Sequence, residues 1–172
     1  MKIALVRHPA VAIAPGICYG RLDVPLSAQG RAALPGMTAA LAGFAVVQTS
    51  PAQRCASVAE ALGGSVLRDP RLLELDFGTW EGRAWDAVPR DELDRWAAAP
   101  GSFTPPGGEC VADLVARVRS LHDDLLRDRR DCAVITHGGV LKVLGPLLRG
   151  RPVDLGAPAP ALGSIEIISC PP

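Results

Sequence analysis

Short unbroken apolar runs alternate along the chain with longer stretches in which apolar residues recur at a helical period. Ile3-Ala4-Leu5-Val6 is too short for a helix and has the length of a strand buried on both faces. A loop follows, with Pro9, Pro15, Gly16 and Gly20. Ser27 is placed to cap a helix running toward Leu41, in which Pro35-Gly36 predicts a kink or a break. Ala45-Val46-Val47 reads as a second buried strand, residues 52–62 as a helix stopped by Gly63-Gly64, and residues 65–67 as a short strand. Val111, Leu114, Val115, Val118, Leu121 and Leu125 fall on one face of a helix. Residues 132–135 predict a further buried strand, residues 139–148 a helix that Pro146 distorts, and residues 165–168 a last strand. Residues 70–108 break this rhythm. They hold Trp80, Trp85 and Trp96 among many prolines and glycines, and predict loops plus one short helix near 86–97. Strands alternating with helices predict an α/β fold, a three-layer α/β/α sandwich with a mostly parallel sheet. The expected organisation is a single domain over residues 1–172, with residues 70–108 as a loop-rich cover.

Composition narrows the partners. Apolar residues make up 48% of 172, enough for a core without staples. Lys plus Arg and Asp plus Glu balance at 18 each, so the formal charge is zero. Such a chain has no long-range field with which to gather nucleic acid or an anionic membrane. Any affinity for phosphate has to come from a local cluster. Cys18, Cys55, Cys110, Cys132 and Cys170 are odd in number and contain no CxxC pair, which supports neither a disulfide framework nor a zinc site. Only four apolar residues separate Lys2 from Arg7, so no signal peptide is expected, and no run approaches the roughly 20 residues of a membrane span. The expectation is a cytoplasmic protein with no nucleic-acid or membrane partner; the oligomeric state is not indicated.

Two of the three histidines occupy equivalent places. His8 follows the first apolar run and His137 follows Ala133-Val134-Ile135-Thr136, so both stand at the carboxyl ends of expected strands, where ligand crevices of open α/β sheets lie. Arg7 shares that crevice, and Arg54 stands near the start of the helix after the second strand. Arginine offers a planar fork that holds two phosphate oxygens at once. Two strand-end histidines beside two arginines suit phosphate. His122, within a helix among Asp and Arg, reads as part of a solvated face.

Four segments carry a resemblance: Leu5-Val6-Arg7-His8, Thr49-Ser50-Pro51-Ala52-Gln53-Arg54, Glu74-Leu75-Asp76-Phe77-Gly78-Thr79-Trp80-Glu81-Gly82 and Thr136-His137-Gly138-Gly139. In this order, spanning nearly the whole chain, they resemble the histidine phosphatase superfamily and its phosphoglycerate-mutase-like branch. The resemblance implies a phosphomonoester hydrolase acting through a phosphohistidine, with no metal and no cofactor, on a small-molecule phosphate ester. It makes His8 the nucleophile, Arg7, Arg54 and His137 the phosphate ligands, and Glu74 the proton donor and later the base, with Asp76 and Glu81 as rivals. A protonated His137 and a Glu74 whose proton affinity is raised by burial would suit those roles. The sequence departs from the family's pattern at Pro9, where Gly is usual, at Ala14, near the place of a polar Asn, and at Cys110, where Ser is usual. Glu109 beside it reads mainly as a helix-start charge.

The segment from Gly16 to Ser27 narrows the likeness to the α-ribazole phosphatases of late cobalamin synthesis. Within it, Arg21 is open between a rim contact to phosphate and an ion pair with Asp23. The alternatives are a broad-specificity phosphatase, a phosphoglycerate mutase, and a phosphate-binding module without catalysis.

Overall fold

The computed structural model describes residues 1–170. The sheet has five strands in the order β3-β2-β4-β1-β5: β1 (Lys2–Arg7), β2 (Val46–Thr49), β3 (Ser65–Arg68), β4 (Cys132–Thr136) and β5 (Ile165–Ser169). All pairings are parallel except that of β5 with β1. Alternation along the strands divides the core in two. Ile3, Leu5, Cys132 and Val134 face a cluster built with helices α4 (Val111–Asp128) and α5 (Gly138–Leu148). Ala4, Val6, Val47, Ala133 and Ile135 face the other way, against α1 (Ala28–Leu41) and α2 (Gln53–Leu62). Helices therefore cover both faces, which explains why β1 and β4 read as unbroken apolar runs.

The sandwich expected from the sequence is thus the architecture observed. Ser27 caps α1, its Oγ accepting from Gly30 N at 3.0 Å. The expected interruption at Pro35 does not occur, and α1 is continuous through it. Pro35 and Gly36 lie on the exposed side, so water can satisfy the carbonyl that proline leaves without a donor. Pro146 likewise sits inside α5 without ending it.

Residues 70–108 form three short 3-10 turns and one helix, α3 (Arg90–Ala98). That helix starts later than the expected residue 86, because Trp85–Ala87 is a separate 3-10 turn and Pro89 precedes the first helical residue. The segment closes a small core in which its Trp80 and Val88 meet Cys18 of the loop after β1, with Phe77, Trp85, Trp96 and Phe103 packed around them. Trp80 is fully buried and its Nε1 donates to Glu92 at 2.6 Å. Gly78, with φ of 55°, lets two loop backbones touch, since a Cβ there would lie 2.2 Å from the Pro106 carbonyl oxygen. Among the described residues no helix is long and apolar enough to cross a membrane.

Candidate functional site

The chain leaves β1 toward α1 on one face and leaves β4 toward α5 on the other, and β1 and β4 are neighbours. A crevice opens beyond the strand ends at such a switch point. Arg7 is level with Thr136 in the β1–β4 register, so the residues that follow, His8 and His137, meet there. Their rings stand 5.2 Å apart, edge to face. With Arg7, Arg54, Glu74, Ile17, Tyr19 and Trp85 they line a cavity of about 150 Å³.

His8 is 2% exposed, and its Nδ1 lies 2.9 Å from the Pro9 carbonyl oxygen. A carbonyl only accepts, so Nδ1 carries the proton and Nε2 keeps its lone pair. Burial foremost, then the cations Arg54 and Arg7, outweigh that hydrogen bond and bring the His8 pKa down to about 3. The imidazole is neutral at physiological pH. Pro9, where the pattern expects Gly, thus supplies the acceptor that fixes the tautomer. Ala14 is exposed and does not line the cavity.

Arg54 is fully buried at the first turn of α2. Its Nη1 donates to the Leu22 carbonyl at 3.0 Å, its Nη2 to the Gly20 carbonyl at 2.5 Å, and its Nε to Nδ1 of His137 at 3.2 Å. His137 is 1% exposed and its Nε2 lies 2.8 Å from Ser50 Oγ. Burial first, with Arg54 next, holds the His137 pKa well below its ordinary value. Without an anion, then, burial and the neighbouring cations keep the ring neutral, and the protonated His137 expected from the sequence requires a bound anion to offset them. Arg7 donates from Nη1 to the Pro160 carbonyl at 2.5 Å, while its buried Nε has no partner.

Glu74 reaches the cavity from the start of the cover. Its Oε2 accepts from Gly139 N at 3.0 Å, in the first turn of α5, and its Oε1 from Leu75 N at 3.1 Å. It is half-buried and meets N–H donors rather than the apolar surroundings expected of it. The Gly138-Gly139 pair admits these groups: a Cβ on Gly138 would lie 3.1 Å from Arg7 Cζ, and one on Gly139 2.3 Å from Glu74 Oε1.

His8, His137, Arg7, Arg54 and Glu74 thus come together, and Arg21 does not join them. Its side chain pairs with Asp76 at 3.7 Å and Glu109 at 3.4 Å, outside the cavity lining. Asp23, the alternative partner, instead accepts from Gln53 N at 2.8 Å at the start of α2. Asp76 accepts from Gly78 N and Glu81 from three backbone N–H groups, so both rivals of Glu74 are spent on holding loops. Cys55 lies 3.6 Å from His137 Nε2, and burial pushes its thiol far up, which keeps it from acting as a thiolate. The sequence reading missed Tyr19, whose ring lies 5.4 Å from Arg54 Cζ, although it sits inside the segment singled out between Gly16 and Ser27. Arg117 also went unread, and Glu109, read as a helix-start charge, instead pairs with it at 2.7 Å beside the Glu74 backbone. Their only signal was a charged pair eight residues apart.

A second cavity, of about 460 Å³, adjoins the first through Arg7, Tyr19 and Glu74. Its other walls include Phe77, Trp96, Leu114, Leu155 and Lys142. Among the described residues no group of His, Cys, Asp and Glu has the arrangement to hold a metal ion.

Residues 3–170 match the profile of the histidine phosphatase superfamily, branch 1. The bifunctional protein Rv2228c of Mycobacterium tuberculosis is 34% identical over 155 residues, 83% of this chain and 43% of that protein. The chain thus spans less than half the length of this relative. Phosphoserine phosphatase 1 of Hydrogenobacter thermophilus is 28% identical over 90% of this chain and 78% of its own. The crystal structure of the α-ribazole phosphatase from Shigella flexneri superposes with a TM-score of 0.88 at 24% identity, over 98% of this chain and 90% of that one. At that identity the likeness is one of fold.

Proposed function

The chain belongs to the histidine phosphatase superfamily, and from that premise we propose that it hydrolyses phosphate monoesters by way of a phosphohistidine on Nε2 of His8. The observation that carries this reading is the Nδ1 contact to Pro9 at 2.9 Å, which leaves a neutral ring with its lone pair toward the cavity. Nε2 forms a bond to phosphorus as the ester oxygen leaves with its electron pair and takes a proton from Glu74. Water then attacks phosphorus, Glu74 recovers a proton from it, and the N–P bond electrons return to Nε2. Charge on the three equatorial oxygens meets Arg7, Arg54 and His137, so no metal is needed. The test is a rapid alkaline quench, which preserves the N–P bond, with an ester labelled in its phosphoryl group. Label on His8 is expected, and label on any other residue, or none, rejects the assignment.

The finer reading is α-ribazole 5′-phosphate as substrate, in the cytoplasmic synthesis of cobalamin. The Gly16 to Ser27 segment supports it, and so do the aromatic walls Tyr19, Phe77 and Trp96, which suit a flat, nucleoside-like leaving group. All five cysteines are free, as a reducing compartment would keep them. Lys142, on the same cavity, favours a second reading: its ammonium, held by the Leu155 carbonyl, would meet a carboxylate on a leaving group such as phosphoserine. Specific activities on α-ribazole 5′-phosphate, nucleoside monophosphates, phosphoserine and 3-phosphoglycerate decide between them. The first is expected to win. Parity with nucleoside monophosphates removes the cobalamin assignment, and isomerisation of 3-phosphoglycerate faster than phosphate release favours a mutase.

A further inference from the structure

The residues around Glu74 are held from two sides, and one of those holds has no part in binding phosphate. Arg117, on α4, uses all five of its N–H donors inside the protein. Its Nη1 donates to the carbonyls of Arg71 and Leu73, each at 2.6 Å, and its Nη2 to the carbonyl of Glu74 at 3.1 Å. Nε and Nη2 fork onto Glu109, at 2.7 Å to Oε1 and 2.9 Å to Oε2. The two side chains are 15% and 12% exposed. Arg21 adds a weaker strut, with Nε 3.5 Å from the Glu74 carbonyl oxygen and Nη2 3.4 Å from Glu109.

We propose that Arg117, neutralised and oriented by Glu109, is the positioning residue for Glu74. It grips the backbone of the loop that delivers the carboxyl, while Gly139 N holds the carboxyl itself. The geometry suits this role and no ligand-binding one. A guanidinium with every donor engaged has nothing left to offer a substrate. Three carbonyls of one short loop converging on one cation fix that loop's path relative to α4. Proton donation needs the carboxyl within hydrogen-bond reach of the leaving oxygen, and a misplacement of about 1 Å costs on the order of a hundredfold. A lysine in place of Arg117 keeps the charge but has a single nitrogen, which cannot span the carbonyls and the carboxylate together.

The proposal rests on the reading of Glu74 as the proton donor, and its test separates the two. An aryl phosphate such as p-nitrophenyl phosphate loses its leaving group without a proton, whereas an alkyl phosphate does not. Because kcat/KM reports only the steps through departure of that group, the alkyl-to-aryl ratio of kcat/KM reads how well the donor is placed. Partial unfolding lowers both values alike and leaves the ratio unmoved, so a destabilised variant still gives an answer. Arg117→Lys and Glu109→Gln are each expected to lower the ratio, the former at least tenfold, as Glu74→Gln does. The double variant Arg117→Lys/Glu74→Gln should have the ratio of Glu74→Gln alone, because Arg117 acts through that carboxyl. If Glu74→Gln lowers the ratio and Arg117→Lys does not, or if the double variant shows the two losses multiplied, the positioning role is overturned while the reading of Glu74 stands. If Glu74→Gln leaves the ratio unmoved, the reading of Glu74 fails and this proposal falls with it.

Discussion

The Nε–H of Arg54 donates to Nδ1 of His137 at 3.2 Å, so the imidazole presents a lone pair to a guanidinium. A nitrogen that accepts carries no proton. The single proton of the ring is then on Nε2, 2.8 Å from Ser50 Oγ. Buried and surrounded by cations, the ring stays neutral. An oxyanion bound between Arg7 and Arg54, as proposed, would offset those cations and raise the proton affinity of the imidazole.

Binding of a tetrahedral dianion should therefore take up a proton. Sulfate is the suitable probe, since it does not itself titrate near neutrality. Calorimetry at pH 7 in buffers of differing ionisation enthalpy is expected to show net proton uptake, reduced in His137→Gln. A binding enthalpy independent of the buffer would mean that His137 meets the anion as a neutral donor.

Acid should unfold the protein through these same rings. In the unfolded chain each imidazole takes a proton as pH falls through about 6.5, whereas folded His8 does so only near 3. The unfolded state binds more protons in that interval, so stability is lost as pH falls, at about 1.4 kcal/mol per pH unit for each such histidine. Denaturant titrations of the wild type and His8→Gln between pH 6.5 and 4 should diverge by roughly that slope. Parallel curves would mean that His8 is as easily protonated folded as unfolded.

Arg54→Lys should fail both as clamp and as brace. Lysine cannot serve the Gly20 and Leu22 carbonyls and His137 together. The expected loss exceeds tenfold in kcat, on the order of one charged transition-state contact. A lowered unfolding free energy should accompany it, about 1–3 kcal/mol for each buried acceptor left without a donor. A near-normal rate would remove Arg54 from the phosphate site.

Gly139→Ala should separate catalysis from folding. The added Cβ would stand 2.3 Å from Glu74 Oε1, the free end of a side chain that can swing away. The melting temperature should move by only a few degrees, about what a 1 kcal/mol cost produces, while kcat/KM for alkyl esters drops more than tenfold. Gly78→Ala, whose Cβ would meet the Pro106 carbonyl oxygen at 2.2 Å, should instead destabilise the cover. Equal turnover by Gly139→Ala and wild type would free Glu74 from the role given to it.

Chelators should leave the rate alone, since Arg7, Arg54 and the two histidines are proposed to supply what a divalent ion would. The check is turnover after exhaustive dialysis against EDTA. Activity lost there and restored by a divalent metal contradicts the scheme.

What could be read along the chain was whatever local rules dictate. His8 and His137 each end an apolar run buried on both faces, and the sheet brings strand ends together, so their meeting was legible. Arg54 was legible because it stands in the first turn of a helix that follows a buried strand. The error at Pro35 came from taking a local rule as decisive at an exposed position, where solvent replaces the missing donor. Long-range partners left no such trace. Arg21 stands two residues from Asp23 yet pairs with Asp76 and Glu109, and Arg117 grips a loop more than 40 residues away. No period or spacing encodes contacts of that kind; only the folded path of the cover does.

The antiparallel β5 has a consequence for how this unit can be joined to others. It returns the chain to its origin, with the amino group of Met1 3.1 Å from the carbonyl oxygen of Cys170. Both lie at the start of β1, whereas His8 follows its far end, a strand of six residues and roughly 17 Å away. Fusion partners attached at Met1 or directly after Cys170 would emerge from one corner, at the end of β1 opposite the cavity around His8. A circularly permuted chain, with Met1 and Cys170 joined by a short flexible linker and new ends opened at an exposed loop, should retain the geometry around His8.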